Sequence, residues 1–190
     1  MSVKSKLSKR LCRALLPVKR LGRDREGFAA VEFAMIVPIM VVMFLGSVEF
    51  TEALSVDRRV TAIASATADL VAQSEEVSTS DLQDIMQIAN SLLNGVGDVA
   101  DLRVTIISVS SDDEGNVTVD WSYGNRQDNP VATGSSYSDL PVGLLANNES
   151  VIVSTVTYRF TPKISHFITG RINLSETFYL RPRHNTVNRV

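Results

Sequence analysis

The sequence predicts an α+β fold: a long N-terminal helix, a second helix, and an antiparallel sheet of about four strands. Three observations predict it. Residues 28–48 (FAAVEFAMIVPIMVVMFLGSV) form a 21-residue apolar run whose only charge is Glu32. Apolar residues at helical spacing continue past it to Val71. From residue 102 the pattern changes to β-branched and alternating stretches. An apolar content of 44% argues against disorder. The single cysteine, Cys12, excludes an intrachain disulfide scaffold.

The net charge of −2 hides a division. Residues 1–26 carry nine basic and two acidic side chains, a net +7; the remainder carries ten basic and nineteen acidic, a net −9. The acidic body argues against a nucleic-acid binder. At 1.5 Å per residue the apolar run reaches roughly 31 Å, enough to cross a hydrocarbon core. The positive-inside rule then puts the basic leader in the cytoplasm and the body outside, which in a bacterium is the periplasm. A secretory signal peptide fits poorly, because the apolar core is too long and Leu45, Gly46, Ser47 and Val48 make a poor cleavage site. A plain signal anchor would need neither Gly27 nor Glu32. A carboxylate within a span costs up to about 3 kcal/mol, depending on depth, and such residues mark function or a partner unless they snorkel to the interface. Gly27 reads either as a boundary glycine or as a place where backbone enters a peptidase cleft. Pro38 removes a backbone donor inside the span and bends or merely interrupts it. Gly46 reads as a close-packing point.

The run Glu26, Gly27, Phe28, Ala29, Ala30, Val31, Glu32, Phe33 resembles a type IV prepilin processing site. The longer string of residues 27–50, with Pro38 inside it and Glu49 closing it, resembles the TadE family of pilin-like proteins of the tight-adherence (Tad/Flp) pilus system. Arg181, Pro182 and Arg183 are similar to the short basic ending of TadE-like and TadG-like proteins. The resemblance implies a pilin-like fold and cleavage after Gly27 by a prepilin peptidase, freeing the amine of Phe28. It also implies pilin-like subunits and Tad inner-membrane assembly proteins as partners. A freed amine on a neighbouring subunit would suit the Glu32 carboxylate and set the stagger between packed helices. At ~4 Å such a pair is worth about 4 kcal/mol before desolvation.

The chain then divides into a leader (1–27), a transmembrane helix (28–48), a periplasmic helical region (49–95) and a periplasmic β-rich region (96–190). The leader has some amphipathic character through Leu11, Leu15, Leu16 and Val18, which suits a membrane surface. The first helix is expected from about 28 to about 73, with Val56, Val60, Ile63, Ala64, Thr67, Leu70 and Val71 on one stripe. After a polar break at 74–79, Ser80 and Gln83 read as a capping box for a second helix. That helix buries Leu82, Ile85, Met86, Ala89, Leu92 and Leu93, and Gly95 stops it. Strands are expected at 102–110, 117–123, 151–161 and 171–180. The first two form a hairpin around a turn at 112–116, with Val117, Val119, Trp121 and Tyr123 on one face. Residues 124–149 read as a long surface loop and 164–170 as a short helical turn.

No catalytic motif is present in the sequence, so no enzymatic activity is expected. His166 and His184 belong to no metal-ligand spacing, and neither a metal nor a cofactor is expected. Asp112, Asp113 and Glu114 offer carboxylates for Ca²⁺ but fit no EF-hand loop, and a solvated turn explains them. Trp121 reads as a core aromatic in preference to a ligand-stacking one. Neither nucleic acid nor a small-molecule substrate is expected. The function expected is that of a minor pilin-like subunit needed to assemble an adhesive pilus. The alternative is an uncleaved single-pass protein with a periplasmic binding or sensor domain.

Overall fold

A computed structural model describes residues 25–127, 130–162 and 170–190. The expected turn at 164–170, apart from Gly170, lies outside the described residues, as do the leader to residue 24, Cys12 and His166. The chain divides into two units, Met1–Val48 and Glu49–Val190. Helix α1 (Arg25–Ala72) contributes to both.

In the unit Glu49–Val190 the elements after α1 are β1 (Glu76–Val77), α2 (Thr79–Leu93), β2 (Leu102–Ser111), β3 (Val117–Gly124), β4 (Ser150–Phe160), β5 (Ile172–Leu180) and β6 (Asn188–Arg189). β2 to β5 form one antiparallel sheet in the order β3-β2-β4-β5. The architecture is the expected α+β.

The stripe read from sequence is the buried face of α1. Val56, Val60 and Ile63 are fully buried, and they join Leu82, Ala89 and Leu93 of α2 and one face of the sheet in a single core. That sheet face supplies Leu102, Val104, Ile106, Ile152, Val156 and Tyr158. Thr67 is the buried polar member of the stripe. Its Oγ1 donates to the Ile63 carbonyl at 2.8 Å and lies 2.7 Å from Ser154 Oγ, whose hydrogen completes the pair. Arg59, off the stripe, donates to the Leu92 carbonyl at 2.7 Å, satisfying an acceptor in the last turn of α2.

The capping box lies two residues earlier than the sequence suggests. Ser78 Oγ accepts from the Asp81 amide at 3.2 Å, and the Asp81 carboxylate accepts from the Ser78 amide at 2.9 Å. The break at 74–79 contains β1, which pairs in parallel with β6 and holds residues 76 and 77 extended. Extended backbone up to Ser78 makes Ser78 the N-cap, and the carboxylate of Asp81 suits the positive helix end better than the amide of Gln83. Gly95 ends α2 as expected. It takes φ +81°, and the Val96 and Gly97 amides return to the Leu93 carbonyl.

The hairpin forms, but its alternation breaks. The register shifts between Ser108 and Val109, which pair with Trp121 and Val119, so Asp120 is an extra residue in β3. The bulge moves Val117 and Val119 off the face that Trp121 and Tyr123 occupy. Trp121 and Tyr123 join the helix-side core, whereas Val119 packs with Ile107, Val109, Val151 and Val153 on the opposite face. Ser108 and Ser110 hydroxyls donate to the Asp120 carboxylate at 3.0 and 2.5 Å, which fixes the bulge.

Two further departures follow from long-range pairing. The 124–149 segment covers that opposite face: Val131, Tyr137, Leu140 and Leu145 pack on it, and Thr118 bridges to Ser136. Residues beyond Leu180 are a strap. Arg183 N–H bonds the Ala72 carbonyl, Asn188 and Val190 amides bond Glu75 and Val77, and Trp121 Nε1 donates to the Val187 carbonyl at 2.7 Å.

Candidate processing and assembly site

The described N-terminal part of α1 carries the expected processing residues. Residues 25–28 are helical, so the peptide bond between Gly27 and Phe28 lies within α1. Glycine lowers the helix propensity at that point. A Cβ added at Gly27 would meet nothing within 4 Å, so packing within the chain does not require glycine there. Phe28 is 74% exposed.

Glu32 follows Phe28 by four residues, which puts the two on neighbouring positions of one helix face. Glu32 is exposed, amid exposed Phe33, Met35 and Ile36. Gly46 lies fourteen residues on, and the drift of about 20° per seven residues keeps it near the same face. Pro38 stands about 120° away from Glu32 at about 100° per residue, so it belongs to another face. It leaves the Ala34 carbonyl without its usual intrahelical donor. The structure therefore gathers Gly27, Phe28 and Glu32 within two turns of α1, aligns Gly46 with them and separates Pro38. Glu49, at the end of the apolar run, is 1% exposed and engaged.

The helix Gly27–Ala72 is long and apolar enough to cross a membrane, with a mean hydropathy of 2.4 in its most apolar window, none of which is buried. The sequence resemblance rests on Gly27, the string from Ala29 to Ala34 with Glu32 inside it, Pro38, and Glu49 closing the run. Residues 27–69 match the family model of TadE-like proteins. The chain carries a TadE-like segment. This associates it with the Tad pilus system and with a membrane. The match includes Gly27, Phe28, Glu32, Pro38 and Gly46 and ends inside the buried stripe of α1, before β1. Comparison with curated proteins finds no match, and neither does comparison with solved structures.

Other candidate residues have local roles. The Asp112 carboxylate accepts from the Asn116 amide and side chain at 2.7 and 2.9 Å. The Asn116 side chain holds the Asp112 carboxyl below its ordinary range. Asp113 accepts from Asn148. Among the described residues, no three His, Cys, Asp or Glu side chains could hold a metal ion together. His184 Nδ1 lies 3.0 Å from Glu75 Oε1, Arg181 pairs with Glu149 at 2.8 Å, and Arg183 lies 3.7 Å from Asp69. The basic ending is thus part of the strap. Trp121 is 5% exposed and is a core residue.

Proposed function

We propose that this chain is a minor pilin-like subunit of a Tad/Flp adhesive pilus, cut after Gly27 by a prepilin peptidase. The observation that carries the reading is the coincidence of the TadE-like match with an exposed apolar helix in which Gly27 precedes the apolar run and Glu32 follows Gly27 by five residues. The role is structural rather than catalytic. The leader stays cytoplasmic and positions the scissile bond at the membrane face, where the helix around Gly27 unwinds into the peptidase. The freed Phe28 amine of one subunit meets Glu32 of another, or of a different pilin-like helix, and fixes their stagger. The Glu49–Val190 unit lies in the periplasm and meets the inner-membrane assembly proteins.

The test is the mass of the protein isolated from its native host. A chain beginning at Phe28, and a full-length chain when Gly27→Ala is introduced, are the expected results. An intact Met1 in the unaltered protein overturns processing and leaves the uncleaved, single-pass alternative. Loss of surface pili on deletion is expected for an assembly role.

A further inference from the structure

Two arginines of the sheet lie close together without an ion-pair partner among the described residues. Arg103 on β2 pairs in register with Thr157 on β4, and Arg159 lies two residues further along β4, opposite Asn173 of β5. The alternation of the strands puts Arg103, Thr157, Arg159 and Asn173 on the face away from α1. Both arginines are exposed. Together with Ala100, Asp101, Thr157 and Asn173 they line a cavity of about 360 Å³. Ion pairs among the described residues include Arg181 with Glu149, Arg183 with Asp69 and His184 with Glu75. Neither Arg103 nor Arg159 has a carboxylate within ion-pair distance among the described residues, although Asp101 shares the cavity. Arg103 and Arg159 are diagonal neighbours on one face, so two like charges stand within reach of one group placed between them. An anionic group between them accepts several guanidinium hydrogen bonds. Thr157 and Asn173 add neutral donors around it.

The position of this cavity identifies the anion. Asp101 also lines a second recess, with Glu52, Tyr158 and Phe160. Glu52 lies four residues beyond Val48, the end of the apolar run. The arginine cavity is therefore at the end of the Glu49–Val190 unit where the chain arrives from residues 28–48. If that run crosses a membrane, the nearest dense array of anions is the phosphate layer of the outer leaflet. Arginine beside such a layer is attracted by its surface potential.

We propose that Arg103 and Arg159 form a headgroup-phosphate site that docks this end of the body on anionic phospholipid. The proposal rests on the reading of residues 28–48 as a span. It gives the acidic body a local basic contact, which would hold it at the membrane before any assembly step.

The test uses the full chain carrying Cys12→Ser and Ser175→Cys, reconstituted in vesicles of phosphatidylcholine alone or mixed with phosphatidylglycerol. Ser175 is exposed, lies outside the cavity lining and pairs with Thr157, so a fluorophore there reports on the cavity from its edge while leaving both arginines in place. A lipid with a nitroxide headgroup is the quencher. Strong quenching is expected in the anionic vesicles and little in phosphatidylcholine. Arg103→Gln with Arg159→Gln should lower the docked-to-undocked ratio on the order of 25-fold, about fivefold for each arginine. Salt near 1 M, where the screening length is about 3 Å, should do the same. Both replacements are on the surface, so an unchanged melting temperature is the control for folding.

Equal quenching in the two vesicle types, with the protein retained through an alkaline wash, overturns the headgroup site and leaves the span intact. Protein lost to the wash overturns both. Abolition of quenching in anionic vesicles by inorganic phosphate or a soluble anionic polysaccharide, at constant ionic strength, shows a site for soluble anions and overturns the lipid assignment.

Discussion

The two stretches of α1 are one helix with opposite surroundings. In residues 28–48 apolar side chains occupy every face, and Phe28, Met35, Met43 and Phe44 are 66–74% exposed. In residues 49–72 the buried apolar side chains lie on one stripe, and Val56, Val60, Ile63 and Val71 are 0% exposed. The difference teaches where each stretch finds its partner. A helix apolar all round needs an apolar medium or other helices, whereas a striped helix needs one surface, which this chain supplies as its own sheet.

The largest test of that contrast is a matched truncation. Ile63→Ala opens a cavity in the core and should cost about 2–5 kcal/mol in thermal or denaturant unfolding. Ile39→Ala, at a position 62% exposed, should move the same transition by less than about 0.5 kcal/mol. Comparable losses at the two sites would break the comparison.

A charge reverses the expectation. Val41→Asp should cost about 3 kcal/mol of membrane insertion, read as release by alkaline wash, without changing the melting of the body. Retention in the membrane fraction would deny residues 28–48 their apolar medium.

The strap sharpens the other side of the contrast. Trp121 shares the core with the α1 stripe and donates to the Val187 carbonyl. Trp121→Phe leaves that carbonyl without its donor and should cost about 1–3 kcal/mol, measured by denaturant unfolding. An unchanged midpoint would mean that the strap adds little to the surface α1 packs on.

The smallest expected effect is in acid. Hydrogen bonds from the Ser78 side chain and amide hold the Asp81 carboxyl below its ordinary value of 3.8. A lowered folded value means the contribution is complete above 3.8 and is lost as the pH falls through the lowered value. Ser78→Ala should remove the cap, costing about 1 kcal/mol at neutral pH, and should flatten that part of the acid titration. An identical pH profile in the variant would show that the cap is not its source.

Much of this was legible because it is local. Helical spacing revealed both helices and their buried residues, the apolar run and charge step revealed the segment at 28–48, and glycine revealed the end of α2. The cap was misplaced because Ser78 and Ser80 are equally good cap residues, and only the pairing of β1 with β6 selects between them. Val117, Val119, Trp121 and Tyr123 alternate faultlessly in sequence, yet one extra residue at Asp120 divides them between two cores. No local signal marks a bulge that Ser108 and Ser110 hold from the neighbouring strand. The candidate processing site was readable throughout because Gly27, Phe28 and Glu32 lie within six residues. Arg103 and Arg159 are 56 positions apart, and nothing in their spacing indicates a pair.

The sequence by itself determined the helices, the strand stretches and the charge step at Gly27, since these depend on neighbours a few residues apart. The tertiary structure alone decided the strand order, the sides on which Val119 and Trp121 lie, the service of residues 183–190 as a strap, and the meeting of two arginines on one sheet face. Those outcomes depend on register between distant segments, and a shift of one residue in register reverses the side every later residue faces.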